Sequence, residues 1–155
     1  MIDLRIYDET APLEAVILGT AESFGGAPQV EEANDPKSVE HILNHTFPEE
    51  GDLLKELQGV VEVFHKYNVE VLRPQVIRDY NQIFSRDVGF VIEDKWVMPF
   101  IAHNRRQEVN GIQYIIDQCD PEKLVRPLES QRVEGGDVMP WKGRIFVGYS
   151  EKEDF

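Results

Sequence analysis

A chain of 155 residues with 41% apolar side chains has material for one folded domain with a real core. Its formal net charge of −13 argues against nucleic acid or an anionic membrane as partner, since both select basic surfaces, and favours a cationic small molecule. One cysteine rules out an internal disulfide framework, and with no leader-like start and no bilayer-length apolar run a cytoplasmic location is expected.

Residues 1–12 are short and mixed in polarity, and read as a lead-in. Ala15-Val16-Ile17-Leu18-Gly19, preceded by Glu14, reads as a buried strand. From about 21 to 51 the composition shifts to Gly25-Gly26, Pro28, Pro36, Pro48 and a string of acids. This is a long acidic loop with a short helix near 38–43, of the length that often serves as a lid or binding segment. His41 and His45 have the i, i+4 spacing of a helical metal pair. They lack a third ligand or an intervening glutamate, so a surface turn is expected and no metal.

Asp52 is placed to cap a helix running to about residue 67, with Leu53, Leu57, Val60, Val61 and Phe64 as its apolar stripe. Val69 to Leu72 follows as a strand, closed by Pro74. Asn81-Gln82-Ile83-Phe84-Ser85-Arg86-Asp87 then leads into a hairpin. Val88, Phe90, Val91 and Ile92 form one arm, Glu93-Asp94-Lys95 the turn, and Trp96-Val97-Met98 the other arm. Burying an unpaired carboxylate costs roughly several kcal/mol, so Arg86 and Asp87 at the hairpin entrance either satisfy local groups or meet a ligand. Arg105 to Gln118 has helical spacing, with Val109, Ile112 and Ile116 on one side. Cys119 continues that stripe and reads as a small core residue. Leu124-Val125 is a short strand. Val138-Met139, a turn at Trp141-Lys142-Gly143, and Ile145-Phe146-Val147 form a last hairpin.

Asp87 and Asp137 each stand directly before a valine that opens a hairpin, 50 positions apart, and Glu14 holds a comparable place before the first strand. A recurring unit of that size predicts a repeated α/β architecture. Two full units of hairpin, helix and strand are expected, with a third that stops after its hairpin.

Asn81-x-x-Phe84-Ser85-Arg86-Asp87, Met98-Pro99, Arg105-Arg106-Gln107-Glu108 and Glu134-Gly135-Gly136-Asp137-Val138, in this order, resemble the guanidino-group-modifying enzymes. That superfamily holds the amidinotransferases, arginine deiminase and dimethylarginine dimethylaminohydrolase. The resemblance runs from about Glu14 to the end, and covers the amino-terminal part of a family member. It implies the pentein fold, an α/β propeller of five ββαβ units, of which about two and a half would lie in residues 1–155. It also implies a reaction in which a cysteine thiolate attacks the guanidino carbon. A histidine moves the protons, a carboxylate orients that histidine, and the covalent adduct passes its group to an amine or to water. A planar guanidinium with paired N–H donors suits carboxylate acceptors, which explains the demand for acids.

Carried over residue by residue, the resemblance puts Asp87 on the substrate guanidinium and makes Glu134 the acid associated with the catalytic histidine. Asn81 and Arg105 match positions that contact the amino-acid end of the substrate in arginine deiminases. The alternative for Arg105 is a solvated helix start near Glu108. Gly135, Gly136 and Asp137 read as a structural turn. The family's histidine and cysteine lie downstream of Glu134, and Cys119 cannot stand in for them. Many family members read Gly-x-x-x-Arg-Thr after the third hairpin, where this chain has Gly148-Tyr149-Ser150-Glu151-Lys152-Glu153. The expected function is the guanidinium-binding portion of an amidinotransferase-like enzyme, without a cofactor, forming a homo-oligomer or pairing with a carboxy-terminal half. A deiminase-type hydrolase and a non-catalytic cation-binding or assembly module are the alternatives.

Overall fold

A computed structural model describes residues 1–33, 36–128 and 130–149. Three small sheets follow one another along the chain. In the first, β1 (Ala15–Ile17) pairs in parallel with β2 (Glu70–Leu72), from Ala15 opposite Glu70 to Ile17 opposite Leu72. The crossover carries α1 (Pro36–Leu43) and α2 (Glu50–Lys66). In the second, β3 (Phe90–Ile92) and β4 (Lys95–Val97) form a hairpin, α3 (Glu108–Ile116) crosses back, and β5 (Leu124–Val125) joins β4 in parallel. That is a ββαβ unit. The third sheet is the hairpin of β6 (Val138–Trp141) and β7 (Arg144–Val147).

The first unit departs from the expected hairpin. After β1 the chain does not turn back on itself; Thr20 instead forms an antiparallel bridge to Gln82, its N–H donating to the Gln82 carbonyl at 3.0 Å. Gly19 makes this crossing possible, because a Cβ there would stand 2.0 Å from the Ile83 carbonyl oxygen.

Local chemistry sets the remaining boundaries. The β6–β7 loop is Lys142-Gly143, both at positive φ (48° and 71°), the conformation that matches strand twist in a two-residue turn. Trp141, expected in the turn, still pairs with Arg144. Helix α2 starts at Glu50 without a side-chain cap, so Asp52 is not the cap expected of it. It lies inside the first turn, 3.3 Å from Lys55. Acids in the first turn and His65 and Lys66 in the last complement the helix dipole, and Asn68 at φ 56° ends the helix in the left-handed conformation.

The core lies under the second sheet. Ile112, Ile115 and Ile116 of α3 pack with Val88, Trp96, Met98, Ile101 and Cys119. Leu4 joins them, so residues 1–12 are more than a lead-in. Ile2 N–H donates to the Gln118 carbonyl at 2.8 Å, and Ile6 bridges Glu93 at the turn of the hairpin. The stripe of α2 is only half-buried, with Val60 40% exposed. None of the helices among the described residues is long and apolar enough to cross a membrane.

Candidate functional site

The segment between β2 and β3 is folded by its own polar side chains. Buried Gln82 accepts from Ile77 N–H through Oε1 at 2.7 Å and donates to the Gln75 carbonyl through Nε2 at 3.0 Å. Asn81 Oδ1 accepts from Ile83 N–H at 3.1 Å, and the Ser85 hydroxyl donates to the Ile17 carbonyl at 2.7 Å. Together these bonds anchor residues 75–85 to the first sheet and deliver Arg86 and Asp87 to the start of the second.

Arg86 reaches across to the third sheet. Its Nε donates to the Gly135 carbonyl at 2.8 Å and its Nη2 to the Val138 carbonyl at 2.6 Å. The same Nη2 pairs with Glu9 at 2.6 Å. The Glu134–Asp137 segment is thereby pressed against Arg86 and Asp87. A Cβ on Gly135 would stand 2.0 Å from the Arg86 carbonyl oxygen, and one on Gly136 would stand 2.7 Å from Asp87 Oδ1.

Three carboxylates converge on one guanidinium. Arg105 Nε and Nη2 each donate to one oxygen of Glu108 at 2.9 Å, and Nη1 donates to Asp87 Oδ2 at 3.0 Å. Glu134 Oε2 lies 3.5 Å from the same Nη1. The side chains of Glu108, Arg105 and Asp87 are 5%, 17% and 18% exposed, and Glu134 at 34% is the most open member. Phe84 stands beside them, its ring centroid 6.0 Å from Arg105 Cζ. Burial alone would lower the pKa of Arg105, but the carboxylates of Glu108 and then Asp87 outweigh it and hold the guanidinium above its ordinary value. Burial pushes the Glu108 carboxyl up; Arg105 opposes this, while the charges of Asp87 and Glu134 add to it.

Asp87, Arg105 and Glu134, named from the sequence, thus meet at one place. Asn81 turns its side-chain oxygen to its own loop. Asp137 is exposed; its N–H donates to the Glu134 carbonyl at 3.1 Å, and its carbonyl accepts from Gly148 N–H at 2.9 Å. Glu14 is on the surface with Arg5, 3.0 Å away. Cys119 is buried in the core, where burial raises its thiol pKa. His41 Nδ1 lies 2.9 Å from Thr46 Oγ1, and no group of three His, Cys, Asp or Glu among the described residues is placed to hold a metal ion. Sequence reasoning missed Glu108 as a buried acid. Its signal was present: residue 108 lies one helical repeat before Ile112, on the buried face, and three positions after an arginine.

The fold is similar to about half of each of two solved amidinotransferases. SxtG, an amidinotransferase from Microseira wollei in the saxitoxin biosynthetic pathway, superposes with a TM-score of 0.68 at 18% identity, over 93% of this chain and 54% of SxtG. The inosamine-phosphate amidinotransferase StrB1 from Streptomyces griseus gives 0.59 at 15% identity, over 89% of this chain and 53% of StrB1. In sequence, the uncharacterized protein YkgA of Bacillus subtilis strain 168 is 32% identical over 97 residues, 61% of this chain and 33% of YkgA. The chain therefore spans about half the length of the two enzymes and a third of that of YkgA. No family model matches the sequence.

Proposed function

We propose that this chain builds the guanidinium-binding part of an amidinotransferase-type active site. The observation that carries this reading is the set of carboxylates, Asp87, Glu108 and Glu134, held around a guanidinium at the junction of the second and third sheets. A set of acids that accepts the guanidinium of Arg105 has the acceptor pattern for a guanidino ligand. Asp87 accepts from the substrate guanidinium, and Glu134 orients the histidine that moves protons. Asn81 shapes the loop beside the substrate, and Gly135, Gly136 and Asp137 form the turn that presents Glu134. The family's histidine and thiolate lie downstream of Glu134, where residues 135–155 hold neither, and Cys119 is buried in the core, where burial raises its thiol pKa. The thiolate adds to the guanidino carbon, and the donor amine leaves with a proton from the histidine. An acceptor amine then takes the amidino group and returns the thiolate. Transfer to an amine is preferred over hydrolysis because both solved neighbours are amidinotransferases.

The test is calorimetric titration with agmatine, joined to steady-state kinetics in protein that contains the histidine and thiolate. Asp87→Asn weakens binding by roughly 2–4 kcal/mol, because a charge-assisted pair already present in the ground state is lost. Glu134→Gln keeps most of the affinity and lowers kcat. If the effects come out exchanged, the two roles are reversed; if neither variant changes anything, both acids are structural.

A further inference from the structure

Arg105 stands in the acid cluster that the reading above assigns to a guanidino ligand, and its hold there is uneven. Glu108 grips Nε and Nη2 with both oxygens at 2.9 Å, a two-point fork from a nearly buried side chain. The far nitrogen, Nη1, has Asp87 at 3.0 Å and Glu134 at the looser 3.5 Å. Asp87 and Glu134 thus share a single nitrogen of a cation whose other edge is already satisfied. Without that nitrogen, two partly buried carboxylates would lie near each other with no positive charge between them, which is costly.

We propose that Arg105 is a placeholder: its Nη1 neutralises Asp87 and Glu134 while the site is empty, and an entering guanidinium displaces it. Glu108 is the positioning residue that keeps Arg105 in place during the exchange, so the side chain pivots about its Nε/Nη2 edge rather than leaving. The inference rests on the guanidinium-binding reading of the same acids. Ligand entry is then an exchange of one charge-assisted contact for another. Asp87 and Glu134 face a positively charged nitrogen before and after the exchange, and the competing nitrogen, tethered to the protein, lowers affinity for the ligand.

Side-chain nitrogen NMR of Arg105, with its guanidinium signals assigned by their loss in Arg105→Lys, follows the exchange directly. Methylguanidinium is the probe, because it has no second functional group to bind elsewhere. On titration the Nη1 signal moves towards the value of a solvent-exposed guanidinium while the Nε signal stays fixed. In Glu108→Gln both signals move, because the anchor is weakened. A parallel calorimetric titration, with Asp87→Asn as control, reports binding independently. Binding that Asp87→Asn abolishes, but that leaves every Arg105 signal unchanged, overturns the placeholder and keeps the guanidinium site. An Nε signal that stays fixed in Glu108→Gln overturns the anchoring role of Glu108. Absence of binding in both titrations overturns the inference together with the reading beneath it.

Discussion

Gly135 and Gly136 are neighbours with different obstacles above them. A methyl group on Gly135 meets the Arg86 main chain, and one on Gly136 meets the Asp87 carboxylate. Backbone held by two sheets cannot retreat, whereas a side chain can rotate away. Gly135→Ala is therefore expected to lower stability by about 3 kcal/mol, read as a reduced urea midpoint at unchanged slope. Gly136→Ala is expected to stay within about 1 kcal/mol of wild type while losing affinity for a guanidino probe, because Asp87 is turned off its position. Equal unfolding midpoints for the two variants would show that the segment is looser than its packing implies. At this scale the sequence was informative where a side chain announces its chemistry by spacing. Asp87 and Glu134 stand in motifs. Glu108 stands in one too, beside Arg105, but a charged residue among apolar helix positions reads as surface until its pairing is seen, and Arg105 supplies that partner from just outside the helix.

Elements were legible wherever period and turn chemistry agreed. Both hairpins, the α3 stripe and the short β5 strand could be read directly from residue pattern. The start of α3 could not. Residues 103–105 form a separate 3-10 turn, so the helix proper opens at Glu108 rather than Arg105, and the ion pair spans the junction. The apolar stripe of Val109, Ile112 and Ile116 also omits Ile115, yet Ile115 is fully buried between Ile112 and Ile116. Ile115→Ala is accordingly expected to cost about 2–5 kcal/mol, on transfer and cavity terms together. Chemical denaturation checks it. A loss below about 1 kcal/mol would mean that the core beneath the second sheet collapses around the deletion. The lead-in reading of residues 1–12 failed for a different reason. The burial of Leu4 depends on contacts with residues far along the chain, and a local pattern carries no trace of them.

For the whole molecule, the third sheet presents an imbalance. Met139, Trp141, Ile145, Phe146 and Val147 are each between 42% and 56% exposed, and successive positions of β7 point to opposite faces, so both sides of the hairpin offer apolar surface to water. Further polypeptide, either a second copy or a complementary chain, is expected to cover it. Sedimentation over a micromolar concentration series should show self-association that weakens in an Ile145→Lys, Phe146→Lys double variant. A stable monomer at all concentrations would count against this. The order of the three sheets and the α/β class followed from the sequence. The missing hairpin of the first unit did not, because the Thr20–Gln82 bridge that replaces it joins segments with no shared local pattern.

The grip of Arg86 on Gly135 and Val138 has a consequence in time as well as in space. Nearly fifty residues separate the two halves of the acid cluster, and closing a loop of that length costs entropy before any contact between them is rewarded. The helix and hairpin of the second sheet can form locally, so the cluster is expected to be among the later parts to assemble during folding. By the same token it is expected to be among the earlier parts to open by local fluctuation. Each such opening would separate Glu134 from Asp87 while leaving the isoleucine core intact. A guanidino ligand spanning both acids would act as a staple on this motion, slowing amide exchange throughout β6 and β7, including at positions it never touches.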